Sequence, residues 1–130
     1  MELVRTDKLL PHEEFNIKAA RLLMRRMKRE GIWRKPICVE RKNFVIMDGH
    51  RRFVVARYLK LKYVPCQFYD YDEVELTSRR KEYVITSESV IEKALTGNLY
   101  PYKTTKHTFL GGYPVFEISL EELKEGGEKK

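Results

Sequence analysis

Glutamine is almost missing from this chain, with Gln67 its single occurrence, and aspartate is scarce, with four residues against fifteen glutamates. A charge complement resting on Lys, Arg and Glu resembles that of heat-adapted proteins, in which part of the charge serves surface ion-pair networks. No apolar run approaches the roughly 20 residues that cross a bilayer, and no apolar leader follows Met1. A membrane or exported protein is therefore not expected, and the chain reads as soluble and cytoplasmic. Cysteine is limited to Cys38 and Cys66, each in an apolar run beside β-branched or aromatic neighbours. Both read as reduced core residues, which argues against a disulfide framework or a thiolate-bound metal. Internal repeats and low-complexity linkers are absent too.

What is present suits one small globular domain over 1–130, with 124–130 as a tail. Of the 130 residues, 42% are hydrophobic and 12% aromatic, enough for a core and too many for a disordered segment. The net charge of +7 favours anionic partners without choosing among nucleotide, nucleic acid and membrane surface. From Phe15 to Glu30 apolar residues recur at helical spacing (Ile17, Ala20, Leu23, Met24, Met27), opposite a basic face of Lys18, Arg21, Arg25 and Lys28. Gly31 stands where a helix cap belongs. Strands are expected at 36–40, 43–47, 63–69 and 115–118, and helices at 51–60, 87–95 and from Ser119 on. Residues 70–80 give no clear signal, and 100–108 read as a polar loop. The fold class is α+β, a small mixed sheet with flanking helices.

The chemistry concentrates at Asp48-Gly49-His50-Arg51-Arg52, between an apolar strand and an apolar helix. Glycine at a strand-to-helix junction lets phosphate approach the backbone, where the first N–H groups of the helix lack partners. Arg51 and Arg52 offer guanidinium groups that match phosphate in bidentate fashion, and His50 is a third group able to carry positive charge. Asp48 would repel a bare phosphate; it points either to Mg²⁺ bridging or to proton handling. By itself, an Asp-Gly turn before a basic helix start is also ordinary structural punctuation.

The same residues resemble the signature of the ParB/sulfiredoxin-like superfamily. The likeness extends upstream through Leu10-Pro-His-Glu and Gly31-Ile-Trp-Arg-Lys-Pro-Ile and downstream to Val64-Pro, over roughly residues 3–70. Sulfiredoxins place a reactive cysteine where this chain has His50, so their redox chemistry is not expected. ParB partition proteins usually read Gly-Glu-Arg-Arg there and carry a helix-turn-helix region that has no counterpart here. The Asp-Gly-His form looks most like the archaeal free L-serine kinases of the superfamily, whose motif is usually Asp-Gly-His-His-Arg; Arg51 departs from it. Pro11-His12-Glu13 matches the segment that supplies their catalytic glutamate. Lys103-Thr104-Thr105-Lys106-His107 resembles the Lys-Thr-Thr-Arg-His loop they use on the phosphorylated amino acid, with Lys106 replacing the arginine.

That resemblance implies a compact ParB/sulfiredoxin-like domain that phosphorylates L-serine to O-phospho-L-serine for cysteine synthesis, with Mg²⁺ and with ATP or ADP as donor. It implies Glu13 as base and Asp48 as a catalytic or Mg²⁺-binding carboxylate. Gly49, His50, Arg51 and Arg52 would take the nucleotide phosphates, and Lys103, Thr104, Thr105, Lys106 and His107 the acceptor side. Ile32, Trp33 and Pro36 are candidates to flank adenine, although Trp33 equally suits core packing. The chain is shorter than the larger kinases between about Tyr71 and Leu99, a region that in them includes a serine-binding aromatic residue. The alternative is a non-catalytic ParB-type nucleotide- or DNA-binding module, using the basic helix face to track phosphates. Nucleic acid is not the expected partner, and nothing in the sequence sets the oligomeric state.

Overall fold

A computed structural model describes residues 1–125. Asn16 starts the first helix by accepting the Ala19 N–H on its side chain, and Gly31, at φ +69, ends it by returning its own N–H to Met27. The intervening helix α1 (Ile17–Glu30) buries Ala20 and Met27, half-buries Leu23 and Met24, and leaves its basic face in solvent. The expected apolar stripe is shortened at its start, since Ile17 is 44% exposed.

Four strands form the central sheet in the order β1 (Glu2–Arg5), β5 (Tyr63–Tyr69), β3 (Ile37–Glu40), β4 (Ile46–Asp48). The outer pairs are antiparallel and β3–β5 is parallel, with Ile37 opposite Cys66 and Glu40 opposite Tyr69. The near-continuous burial of β3 and β5 explains why these two strands read as apolar runs. The hairpin turn after β3 is closed by Glu40, whose buried carboxylate accepts the Lys42 and Asn43 N–H groups. A short strand β2 (Ile32–Trp33) precedes β3 and pairs with β8 (Ile118–Ser119), the two-residue remnant of the strand expected at 115–118.

Helix α2 (His50–Tyr58) follows β4 and buries Phe53, Val54, Val55 and Ala56 against the sheet. Its C-terminal end is open, with Tyr58 60% exposed, so the helix is less fully buried than its composition suggests. Trp33, Ile37, Val39, Ile46 and Val64 sit at its base with no exposure. Each such side chain contributes about 1.5–3 kcal/mol relative to an exposed one. Both cysteines lie in this interior, and burial pushes each thiol up to about 12, which keeps them protonated and inert.

The stretch without a clear sequence signal resolves into a 3₁₀ turn at Tyr71–Glu73 and β6 (Val74–Ser78). Helix α3 (Ser87–Thr96) follows, capped by the Thr86 side chain at its start and by Gly97 at its end. The expected polar loop at 100–108 is half loop and half strand: β7 (Thr105–Phe109) pairs antiparallel with β6, Leu76 facing His107. Helix α4 (Leu120–Glu125) starts at Ser119, whose hydroxyl accepts the Glu122 N–H. Lys124 and Glu125 complete α4; the remainder of the expected tail lies outside the described residues. Among the described residues, no helix is long and apolar enough to cross a membrane.

Candidate functional site

Three chain-distant segments converge on one cleft of about 420 Å³: residues 13–15, the β4–α2 junction and the loop entering β7. Backbone bonds join the first and third. Tyr100 donates its N–H to the His12 carbonyl and accepts the Glu14 N–H, both at 2.9 Å. This parallel bridge pins Glu13 beside residues 103–105. Leu10 makes a similar bridge, donating its N–H to the Phe44 carbonyl at 2.9 Å and accepting the Ile46 N–H at 2.8 Å, which ties the segment to β4 as well.

Glu13 is held as an acceptor. Its Oε2 receives the Lys103 N–H at 2.8 Å, and its Oε1 receives the Thr105 N–H at 3.0 Å and lies 2.9 Å from the Thr105 hydroxyl. Lys103 reaches this position at φ +58, a left-handed conformation that side chains seldom adopt. The strain places an N–H on the carboxylate, the kind of backbone outlier that marks a site. Thr104 spans the same turn from beneath, its fully buried hydroxyl donating to the Pro101 carbonyl at 2.7 Å. It therefore holds the loop and does not line the cleft, whereas Lys103, Thr105, Lys106 and His107 do.

On the opposite wall Gly49 caps α2 at φ +106, with no side chain occupying the helix N-terminus. A methyl group there would press on Arg52 Nη2 at 3.2 Å and make an ordinary contact with Ile37 Cα at 3.4 Å, so it is the positive φ that requires glycine. Arg51 is exposed at the cleft; Arg52 is largely enclosed, donating to the Pro36 carbonyl at 3.1 Å. The Arg52 Nε is buried without a partner. Asp48 reaches solvent at the cleft rim, 3.8 Å from Arg52 Nη2.

The histidines depart from the expected picture of a cationic cradle. His50 accepts the His12 N–H at Nε2 (3.2 Å), so its ring proton sits on Nδ1. Burial, reinforced by the nearby His12 and His107, holds it well below the usual imidazole range. It lines the cleft as a neutral ring, and the positive charge of the junction belongs to the arginines. Burial likewise lowers His12 to about 4 and His107 to about 3. His107 is tied through Nε2 to the Tyr71 hydroxyl at 2.8 Å.

Of the candidate adenine residues, Trp33 and Pro36 are enclosed in the core and none of the three lines this cleft. Trp33 directs its indole N–H to the Lys35 carbonyl, the packing alternative. Sequence reading missed Arg26, Lys35 and Arg79, which add positive charge to the cleft walls. Arg79 falls in the stretch of unclear structure, and its Nε donates to the Thr105 carbonyl at 3.0 Å. Arg26 was hidden among the other cations of α1. The signal for Tyr113, a further lining residue, was its place among glycines in 111–113.

No family model matches the chain. It is 36% identical over 73 residues to the ATP-dependent L-serine kinase of Staphylothermus marinus, a match covering 53% of this chain and 29% of that protein. The chain thus spans under a third of the length of this curated relative. A conserved hypothetical protein from Pyrococcus furiosus superposes with a TM-score of 0.85 at 15% identity, over 94% of this chain and 96% of that one. A free serine kinase in complex with AMP matches at 0.85 and 17% identity, over 94% and 92%. A mutant of a free serine kinase in complex with ADP matches equally, at 0.85 over 94% and 93%. The α+β architecture expected from the sequence is the fold these proteins share.

Proposed function

We propose that the chain is a free L-serine kinase, transferring the terminal phosphoryl group of ATP or ADP to serine and forming O-phospho-L-serine for cysteine synthesis. The observation that carries this reading is the placement of Glu13. A carboxylate anchored by two backbone N–H groups faces an uncapped helix N-terminus across one cationic cleft. The fold shared with free serine kinases and the partial match to an ATP-dependent L-serine kinase support it.

Phosphoryl transfer asks the protein mainly for positioning and charge neutralisation. The N–H groups at the start of α2, the Nδ1–H of His50 and the Arg51 guanidinium hold the donor's phosphates. Arg52, braced on Pro36, keeps the junction in shape and adds charge behind it. Lys103, Lys106 and Arg79 orient the acceptor side, with Thr105 and His107 forming its floor. Glu13 accepts the proton of the serine hydroxyl as that oxygen attacks; a loose transition state asks for its removal late, so placement outweighs base strength.

Mg²⁺ fits the residues present, because this ion needs only one or two carboxylates besides the donor's phosphates. Asp48, exposed at the rim of the phosphate cradle, is that carboxylate. When bound, the ion neutralises charge on the transferring phosphoryl group. Among the described residues, the one cluster of three acidic groups that could hold a metal by itself is Asp70, Asp72 and Glu73, none of which lines the cleft.

Incubation with serine, Mg²⁺ and ATP or ADP, with phosphoserine measured by mass spectrometry, tests the reading. Glu13→Gln is expected to retain nucleotide affinity and lose turnover by about 10²-fold or more, the scale of a positioned general base. Near-normal turnover in that variant refutes the assignment of the base. Binding to duplex DNA that weakens steeply with salt, without phosphoserine formation, would identify a ParB-type module instead.

A further inference from the structure

Behind Glu13 lies a chain of polar atoms with one proton too few. His12 is fully buried, and its Nδ1 stands 2.7 Å from the Ile46 carbonyl. A carbonyl only accepts, so Nδ1 carries the ring proton and Nε2 of the neutral ring is an acceptor. That Nε2 is 2.9 Å from the Thr105 hydroxyl. The same hydroxyl is 2.9 Å from Glu13 Oε1. One hydroxyl proton therefore faces two acceptors, a carboxylate on one side and a bare imidazole nitrogen on the other.

Other ways of filling the gap are disfavoured by the surroundings. The groups facing His12 are His50 on α2, at 4.6 Å between ring centres, and His107 on β7, at 5.6 Å. Glu13 is the one carboxylate near it, 3.8 Å from Nε2, and the other neighbours offer no negative charge to stabilise a buried imidazolium. Burial lowers the affinity of His12 for a second proton. Oε1 already receives the Thr105 N–H, so the carboxylate also competes for the hydroxyl from a well-supported position.

We propose that Thr105 and His12 form a hydroxyl switch behind the base. In the resting site Thr105 donates to Glu13; when Glu13 takes up the acceptor's proton, Thr105 turns and donates to His12 Nε2. The step balances without ionising His12. The serine O–H bond breaks and its oxygen bonds to phosphorus; the bond from phosphorus to the leaving nucleotide breaks, its electron pair staying on the nucleotide oxygen. The proton moves to Glu13 Oε1, which then donates to Thr105 Oγ1. Every donor and acceptor in the chain is matched only in that protonated state, so the switch favours proton uptake at the moment of transfer. Thr105 and His12 are positioning residues here, and the inference rests on the reading of Glu13 as the base.

Two measurements test it. The first needs no turnover: with only three histidines in the chain, nitrogen-15 spectra of labelled imidazoles resolve His12. Glu13→Ala removes the competing acceptor, so the hydroxyl turns to His12 and its Nε2 signal moves upfield towards the hydrogen-bonded position. Thr105→Val leaves that signal at the free-acceptor position of the wild-type resting site. An unmoved signal in Glu13→Ala, or a wild-type His12 with both nitrogens protonated, overturns the proposal.

The second is kinetic. Thr105→Val keeps the backbone N–H and is expected to lower kcat by about 10- to 100-fold. KM for nucleotide should stay within about twofold. Thr105→Ser restores the hydroxyl and should recover kcat. Unchanged kcat in the valine variant, or no recovery in the serine variant, refutes the switch; a rise in KM for serine with kcat retained assigns the hydroxyl to substrate binding instead. If wild-type protein forms no phosphoserine, the kinase reading fails on its own, while the nitrogen-15 result still decides whether the switch exists.

Discussion

Replacing Gly49 with alanine perturbs the phosphate cradle at the one point where the backbone leaves it no latitude. The residue sits at φ +106, far from the conformations an L side chain adopts at low cost, which sets a strain of about 1–3 kcal/mol. The added methyl also meets two neighbours of different stiffness. Ile37 belongs to a fully buried strand of the central sheet, and its Cα, at 3.4 Å, meets the methyl in ordinary contact and need not move. The Arg52 guanidinium, at 3.2 Å, must withdraw, and does so only by stretching its 3.1 Å bond to the Pro36 carbonyl. Loss of that bond adds about 1–3 kcal/mol, because its donor is charged and partly enclosed. The sum, about 2–6 kcal/mol, lies within the stability of most domains, so the variant should remain folded but with a lower urea midpoint. The helix N-terminus moves with the strain, and ADP affinity measured by calorimetry should fall by about tenfold or more, equivalent to about 1.4 kcal/mol. A variant with wild-type unfolding free energy and wild-type ADP affinity would show that the junction neither needs glycine nor contacts phosphate.

Thr104→Val should cost about 1–3 kcal/mol in urea unfolding by leaving the Pro101 carbonyl unpaired, with phosphoserine affinity of the folded protein retained; a selective loss of affinity would put the Thr104 hydroxyl in the substrate site. Stability should decline on acidification, because the unfolded chain protonates its histidines near pH 6.5 while burial holds His12 at about 4 and His107 at about 3. The unfolded state then binds more protons throughout that window, so each histidine removes about 1.4 kcal/mol per pH unit from about pH 6.5 down to its folded value, and nothing above it. A urea midpoint independent of pH between 7 and 5 refutes their burial as neutral rings. ATP should serve as a donor, since Arg26 and Lys35 supply cations beyond the α2 junction for a third phosphate; a kcat/KM preference for ADP of about tenfold or more, roughly 1.4 kcal/mol of discrimination, would show a site fitted to two phosphates.

The parts of the fold that were legible in the sequence are those where local chemistry and tertiary role agree. Gly31 ends α1 where a cap was expected, α3 covers the helix expected at 87–95, and Tyr63–Tyr69 is a strand at the residues where its apolar run places one. The failures share a cause in long-range pairing. Strand β6 carries Glu75, Thr77 and Ser78 on a polar, exposed edge, and it becomes a strand because Thr105–Phe109 runs beside it. That partner is itself polar, so neither half could be read without the other. At 115–118 the apolar pattern is real, yet the ladder is confined to Ile118 and Ser119 opposite Trp33 and Ile32, with Phe116 adding a single N–H bond to the Arg34 carbonyl.

The site divides along the same line. Gly49 and Arg51 were expected from the chemistry of the junction, Glu13 and Lys106 from the family resemblance, and the structure brings all four to one cleft. What spacing could not give is protonation, because it depends on the surroundings rather than on the residue. His50 reads as a third cation beside two arginines, yet the His12 N–H occupies its Nε2 and burial removes its charge. A neutral imidazole matters to the chemistry, since Nδ1–H can donate to a phosphate oxygen without adding to the positive charge of an already basic cleft. Thr104 and Thr105 illustrate the converse. Adjacent and chemically alike, they face opposite ways along the strand entry, one hydroxyl fixing the turn at Pro101 and the other reaching Glu13 and His12. Two neighbouring threonines thus divide scaffold from chemistry, a division set by the alternation of side chains as the chain enters β7.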